Sequence, residues 1–262
     1  MLPLRIGVQL KSLRLPLRRA LAVAGELGVE AVEIDARGEI RSRDMSQTAV
    51  RQLRKQLDDH GLRVAALEYR TRRGYHVRDD LEARVEGTKE AMRLAYRLGA
   101  AVVINHVGRV PQAESSDWSL LVDVLGDLSR FGQRTGARLA ATAAGAESGE
   151  DLARVLAAIP EGGIAVNLDP GELVRGGGSP LEVIEKVGTS IAHVRANDGV
   201  RDLSSGMGLA VPLGRGSVDY PAMLAALEQR DYRGYLTIER QRPEDPREEI
   251  SHAVSYLRNL AE

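Results

Sequence analysis

Short apolar runs alternate with longer amphipathic segments along the chain. Apolar runs of this length, bounded by glycine or polar positions, are typical of buried strands. Because a longer segment separates each run from the next, the strands are expected to pair in parallel through crossover connections. The predicted strands are Arg5–Leu10, Glu30–Asp35, Leu62–Glu68, Ala101–His106, Ala137–Thr142, Gly163–Asp169, Ala192–Asn197 and Gly234–Glu239.

The segments between these runs carry apolar residues at helical spacing. Gly99 and Gly136 follow two of them, at the position where a left-handed cap favours glycine. The predicted helices lie near residues 14–29, 46–59, 79–98, 116–135, 148–159, 179–187, 219–229 and 246–260.

Eight strands alternating with eight helices favour an α/β fold, a single (β/α)8 TIM barrel. Such barrels reach about 250 residues as one unit, so we expect residues 1–262 to form a single domain. An open, doubly wound sheet is the alternative. Its first strand is usually followed by a glycine-rich turn, and residues 8–12 do not form one.

Two stretches without a clear helix or strand pattern follow the third and seventh predicted strands. Both Glu68–Asp79 and Asp198–Val218 lie on the side of a barrel where active sites are found. The first contains Arg72 in a basic sequence, which either binds a substrate phosphate or carboxylate or pairs with nearby acidic residues in solvent. In the second, residues 214–216 favour a tight turn over a phosphate-binding loop, because only two glycines are present.

Polar residues stand at the carboxyl-terminal ends of most predicted strands, whereas the strand bodies are apolar. In a barrel these ends meet at one rim and line the pocket. On the seventh strand, His193, Arg195 and Asn197 alternate with small apolar residues and therefore share one face. The residues expected to converge on the pocket are Glu33, Glu68, His106, Asp169, Arg195, Asn197 and Glu239.

Composition narrows the classes of function. The net charge of −1 disfavours a nucleic-acid partner, and the absence of cysteine excludes thiolate metal sites and cysteine nucleophiles. No apolar run reaches the roughly 18–20 residues of a membrane span, and the first residues lack the apolar core of a secretory leader. We therefore expect a cytoplasmic protein with neither a membrane nor a nucleic-acid partner.

Five motifs stand in a defined order along the chain. They are Gly28-Val-Glu-Ala-Val-Glu33, Asn167-Leu-Asp169-Pro-Gly, His193-Val-Arg-Ala-Asn-Asp198, Pro212-Leu-Gly-Arg-Gly-Ser-Val-Asp219-Tyr and Tyr235-Leu-Thr-Ile-Glu239. Together they resemble the sugar phosphate isomerase/epimerase family with the xylose isomerase-like TIM barrel, over nearly the whole chain. The resemblance implies a small-molecule carbohydrate partner, a homo-oligomer, and a divalent metal (Mn, Mg, Co or Zn) that polarises sugar oxygens while two glutamates move a proton.

The family's metal ligands are only partly retained. Asp169 and Glu239 match the ligands of the sixth and eighth strands, and these two are the remnant of the site. On the fifth strand Thr142 or a neighbouring alanine replaces a glutamate, and the nearest carboxylate, Glu147, lies beyond the strand. On the seventh strand Arg195 replaces the ligating histidine. We therefore expect no tightly held ion, and we expect Arg195 within salt-bridge reach of Asp169 or Glu239.

Two functions from different classes remain open. The first is a sugar or sugar-phosphate isomerase, epimerase or related lyase that transfers a proton on a carbohydrate in the barrel mouth. The second is a non-catalytic carbohydrate-binding or regulatory protein of the same fold, favoured by the missing fifth-strand glutamate. For the first, the candidate catalytic residues are Glu239, Asp169, Arg195 and His106, and the candidate substrate-binding residues are Glu33, Glu68, Arg72, His193 and Asn197.

Overall fold

The computed structural model describes residues 4–142, 148–159, 163–201 and 208–261. Its strands are β1 (Arg5–Gln9), β2 (Ala31–Asp35), β3 (Arg63–Glu68), β4 (Val102–His106), β5 (Arg138–Thr142), β6 (Ile164–Leu168), β7 (Ile191–Ala196), β8 (Asp198–Val200), β9 (Leu209–Val211) and β10 (Tyr235–Ile238). All except β8 and β9 form one closed parallel barrel, as the alternation of elements predicts. The ring closes where Ile6 of β1 pairs with Leu236 of β10.

Helices connect the barrel strands. They are α1 (Leu17–Glu26), α2 (Gln47–Asp59), α3 (Leu81–Arg97), α4 (Ser116–Thr135), α5 (Ser148–Ala158), α6 (Pro170–Arg175), α7 (Pro180–Val187), α8 (Tyr220–Glu228) and α9 (Pro246–Asn259). The side chain of Ser115 caps α4 by accepting the Trp118 N–H, and Gly136 ends the same helix with a φ of 83°, which favours glycine. None of the helices in the described part of the chain has the length and apolar character that a bilayer span requires.

The sequence pattern does not predict two of these elements. Helix α6 has six residues, fewer than two helical turns, so no repeat of the helical period appears in the sequence. The antiparallel ribbon of β8 and β9 lies within the stretch expected to be a loop, and each of its strands has three residues. The first helix is also shorter than the predicted residues 14–29, because α1 begins after Pro16 and ends at Glu26.

The core has two parts. Large aliphatic side chains such as Leu21, Leu125 and Leu257 are fully buried within one large cluster that strands and helices share. A separate cluster of smaller side chains consists of Ala66, Val102, Ile104, Ala140 and Ala165. Ala66 lies two residues before Glu68 and therefore on the same face of β3. The small cluster thus forms the floor beneath the polar strand ends, and those ends surround the barrel mouth.

Candidate active site

The strand ends bring the expected polar residues together. The buried members of this group are Glu33, Glu68, Asp169, Arg195, Asn197 and Glu239. Only His106 of the expected set is half-buried. Charged groups removed from water in this way need partners, because an unpaired buried charge is strongly unfavourable. The contacts among these side chains supply those partners.

Arg195 lies at the centre of the site and is 2% exposed. Its Nη2 donates to Glu33 Oε1 and to Glu68 Oε1, each at 2.6 Å, and its Nε donates to Glu33 Oε2 at 3.3 Å. Its Nη1 lies 3.7 Å from Asp169 Oδ2. The expected ion pair with Asp169 is therefore present, but Glu33 and Glu68 are the nearer partners. Asp169 in turn is held through its other oxygen by a second side chain.

That side chain is Asn197, which joins Asp169 to Glu239. Its Nδ2 donates to Asp169 Oδ1 at 2.8 Å and to Glu239 Oε2 at 2.6 Å. Its Oδ1 accepts the Gly171 N–H at 2.8 Å, which sets the orientation of the amide. A Cβ at Gly171 would lie 2.7 Å from this oxygen, so the contact requires glycine there. The two carboxylates are thus held on one amide group.

This arrangement changes the acidity of Asp169. Burial raises the pKa of Asp169 to about 7, and the neighbouring Glu239 carboxylate adds to the effect. The charge of Arg195 and the hydrogen bond from Asn197 oppose it. Asp169 therefore holds an exchangeable proton near neutral pH.

Two residues at the end of the first strand complete the site, and sequence reasoning missed both. Lys11 forms an ion pair with Glu68 Oε2, and Gln9 Nε2 donates to Glu33 Oε1 at 2.8 Å. Burial by itself would raise the pKa of Glu68, but Arg195 and Lys11 lower it to about 2. A signal was available, because Lys11 is one of only four lysines in a chain with 36 basic residues and it follows a predicted strand.

His193 lies one layer below Arg195 on the same face of β7. Its Nδ1 lies 2.7 Å from Asn167 Oδ1 and its Nε2 lies 2.8 Å from Thr237 Oγ1. Burial, with a further contribution from Arg195, lowers its pKa to about 3, so the ring is neutral at physiological pH. Both ring nitrogens are engaged by the protein. His193 therefore does not line the mouth, where a substrate-binding residue is expected. It supports the layer of side chains beneath the mouth.

His106 and Arg72 border a cavity of about 600 Å³ at the mouth. Burial and the nearby charges of Arg70 and Arg195 lower the pKa of His106 to about 4. Arg72 is exposed in the segment that follows β3. His106 thus stands between the buried site and the cavity, whereas Arg72 lies at the outer edge.

The residues at the family's metal positions do not fit a divalent cation. Arg195 brings a permanent positive charge to the position of a neutral imidazole, 3.7 Å from Asp169. Thr142 Oγ1 accepts a hydrogen bond from Asn167 Nδ2 at 2.9 Å and carries no negative charge. Within the described residues no group of three His, Cys, Asp or Glu side chains is placed to hold a metal. Glu147 lies outside the described residues.

The turn at residues 214–216 binds a carboxylate of the chain itself. Asp198 accepts the N–H groups of Gly214 and Gly216 at 3.1 and 2.9 Å and that of Val218 at 3.2 Å. These N–H groups are therefore not free for a phosphate, and the interpretation of this motif as a tight turn is confirmed.

Comparison with known proteins places this geometry in context. A curated relative, an inosose dehydratase from Clostridium beijerinckii, is 24% identical over 151 residues. The match covers 50% of this chain and 48% of the relative, so it spans about half the length of each. Among solved structures, a xylose isomerase domain protein from Planctomyces limnophilus has a TM-score of 0.83 and 26% identity, over 92% of this chain and 91% of that one. A D-tagatose 3-epimerase-like protein has a TM-score of 0.79 and 20% identity, over 98% of both chains.

The match to a protein family covers more of the chain than the match to the curated relative does. Residues 21–260 match the family described as the xylose isomerase-like TIM barrel. This range contains every barrel strand after β1 and all of the motifs on which the resemblance was based. The closed barrel and the polar carboxyl-terminal rim agree with that match. The chain belongs to the xylose isomerase-like TIM barrel family.

Proposed function

We propose that this protein is an isomerase, epimerase or related lyase that moves a proton on a small carbohydrate in the barrel mouth. The observation that carries the proposal is the pair of carboxylates, Asp169 and Glu239, held on the amide of Asn197. Proton transfer at carbon needs one group that accepts a proton and another that supplies one. The family and its relatives, which include an inosose dehydratase and an epimerase-like protein, support a carbohydrate substrate.

The two carboxylates take different roles in this proposal. Asp169, with a pKa of about 7, retains a proton in part of the molecules at neutral pH and serves as the acid. Glu239, at 8% exposure the more accessible of the two, serves as the base. Asn197 keeps the two carboxyl groups in a fixed relation, because its amide donates to both.

Arg195 supplies the positive charge of the site. Its guanidinium is buried, permanently charged and held by Glu33 and Glu68, so it does not have to reorganise when charge develops on a substrate oxygen. The family implies a divalent metal for this task, but the donor set here does not fit one. The proposed mechanism therefore contains no step through a metal. His106, neutral at physiological pH, is a second candidate for contact with a substrate oxygen.

One observation favours a different function, in which the protein binds a carbohydrate without converting it. Thr142 or a neighbouring alanine replaces the family's fifth-strand glutamate, and the Thr142 hydroxyl accepts a hydrogen bond from Asn167. A protein that lacks this carboxylate lacks one of the family's two proton-transfer groups. The two functions differ in whether a bound sugar exchanges carbon-bound hydrogen.

The test is hydrogen exchange on a panel of ketoses, aldoses, inososes and their phosphates in D2O, followed by NMR. We expect the wild-type protein to exchange one carbon-bound hydrogen of its substrate, and Asp169→Asn and Glu239→Gln to reduce the rate at least about 100-fold. Arg54→Gln, on the exposed face of α2, is the matched control and should leave the rate unchanged. A sugar that binds to wild-type protein without any exchange would establish the non-catalytic function instead.

A further inference from the structure

Three arginines line the cavity at the mouth. Its wall contains Arg37, Arg70 and Arg72, together with Asp35 and His106. Within the described residues none of the three arginines forms an ion pair. The cavity thus presents three positive charges and one negative charge to whatever enters it.

The negative charge in the wall belongs to Asp35, whose carboxylate is hydrogen-bonded to the backbone. Asp35 Oδ1 accepts the N–H groups of Arg37 and Gly38 at 2.8 and 3.0 Å. This carboxylate therefore closes a local turn at the end of β2 and does not pair with the guanidinium groups. His106 is neutral at physiological pH, so it neither adds to nor cancels the positive charge. The three guanidinium groups dominate the electrostatics of the cavity.

The backbone that carries these arginines is fixed in place. Arg37 Nη1 donates to the Arg70 carbonyl at 2.7 Å, and the Arg37 guanidinium carbon lies 5.4 Å from the centre of the Tyr69 ring. The N–H of Thr71 donates to the buried Asn105 side chain at 3.1 Å. These contacts tie the segment after β2 to the segment after β3. A binding surface that is ordered in advance loses less entropy when a ligand arrives.

A neighbouring groove of about 670 Å³ shares Arg37 and Arg72 with this cavity. Two of its other arginines are neutralised, because Arg43 lies 2.8 Å from Glu90 and Arg73 lies 2.6 Å from Asp79. Arg70 lines only the cavity that borders His106. His106 lies close enough to Arg195 and Glu68 for their charges to affect its pKa. The positive cavity therefore adjoins the proposed active site.

We propose that this cavity binds an anionic group of the substrate, a carboxylate or a phosphate, and that the protein acts on an acidic carbohydrate. This inference rests on the proposed function, because it assigns the substrate class of the same site. Guanidinium groups bind both kinds of anion through paired N–H donors, so the two share one recognition chemistry. The anion lies on the β2–β4 side of the mouth, and the sugar carbons extend toward Asp169 and Glu239.

Calorimetric titration with a matched set of ligands tests the inference. The probes are D-glucuronate, D-glucose 6-phosphate, neutral D-glucose and inorganic phosphate, each at low and high salt. We expect the two acidic sugars to bind at least about tenfold more tightly than glucose, and high salt to reduce this difference. The tighter of the two acidic sugars identifies the anion as a carboxylate or a phosphate. Inorganic phosphate should bind more weakly than either sugar and compete with both.

Variants then locate the site. Arg72→Gln, Arg70→Gln and Arg37→Gln should each weaken binding of the acidic sugars about tenfold while the affinity for glucose stays the same. All three residues are exposed, so the fold should survive, and thermal melting checks that it does. Arg54→Gln is the control and should bind like the wild type.

Two results overturn the inference. The first is that glucose binds as tightly as the acidic sugars, or that no anion binds at all. The second is that the three arginine variants bind acidic sugars as Arg54→Gln does. Hydrogen exchange in D2O, measured on the same samples, separates this inference from the proposed function. If only neutral sugars exchange hydrogen, the proposal of an anionic substrate fails and the proposed enzymatic function stands. If anions bind at the three arginines but no sugar exchanges hydrogen, the anion site stands and the proposed enzymatic function fails.

Discussion

Arg195 Nη2 lies 2.6 Å from Glu33 Oε1, so a buried guanidinium and a buried carboxylate form an ion pair at the centre of the barrel mouth. The two residues are separated by 162 positions in the chain and come from strands on either side of β1 and β10. Burial raises the pKa of Glu33, and Arg195 is the strongest influence against that rise. The pair therefore stabilises the fold, and it also sets the charge at the centre of the site.

Removal of the guanidinium should destabilise the fold. Arg195→Met leaves Glu33 and Glu68 buried without their shared partner, and we expect the free energy of unfolding at pH 7 to fall by about 3–5 kcal/mol. Urea unfolding followed by circular dichroism measures this loss. Arg54→Gln should change stability by less than about 0.5 kcal/mol, and Arg195→Met with Glu33→Gln should recover part of the loss. A loss below about 1 kcal/mol would show that the pair does not hold the mouth together.

Metal binding should depend on two positions at once. We expect purified wild-type protein to contain no stoichiometric, tightly bound divalent ion, because Arg195 repels one and Thr142 provides no charge. Arg195→His should bind Mn²⁺ only weakly, and Arg195→His with Thr142→Glu should bind it markedly more tightly. Elemental analysis and calorimetric titration measure both. Near-equimolar metal in the wild type that is lost in Asp169→Asn would contradict this prediction and show that the protein binds metal as the metal-dependent members of its family do.

Acid should destabilise the protein in part through His106. Its pKa is lowered from the ordinary 6.5 to about 4 by burial and by the charges of Arg70 and Arg195. Below pH 6.5 the His106 side chain binds a proton in the unfolded chain, whereas in the folded chain it does so only near pH 4. The free energy of unfolding therefore falls as the pH decreases from about 6.5 to about 4. His106→Gln has no such proton and should gain stability relative to wild type by as much as about 3 kcal/mol between pH 7 and 4. Urea unfolding at several pH values checks this, and a constant difference would contradict it.

The amide of Asn197 should set the upper pH limit of activity. Asn197→Ala removes the hydrogen bonds to both carboxylates, so the repulsion from Glu239 is less compensated and the pKa of Asp169 rises above about 7. If protonated Asp169 is the acid, the alkaline limb of hydrogen exchange moves to higher pH and kcat falls more than KM rises. The pH profile of exchange in D2O measures both. An alkaline limb that stays in place would remove Asp169 from the role of acid.

The positions of the strands and helices follow from the sequence alone. An apolar run between glycine and polar positions predicts a strand, and helical spacing predicts a helix, because both patterns reflect local backbone geometry. The same alternation predicts that Arg195 and His193 share the inward face of β7 and that Asp169 and Glu239 end their strands. The short elements α6, β8 and β9 escape this reasoning, since each contains fewer than two periods of its pattern and no repeat can be recognised.

Which side chains become partners was decided only by the tertiary structure. The sequence predicts Arg195 within salt-bridge reach of Asp169 or Glu239, and the pair with Asp169 is present at 3.7 Å. The closer partners, Glu33 and Glu68 on the other side of β1 and β10, were not predicted. The strand pattern gives each residue a direction, inward or outward, but it does not give the distance between two inward side chains on strands far apart in the chain. That distance depends on how the strands are staggered around the closed barrel, and this stagger is a property of the whole ring.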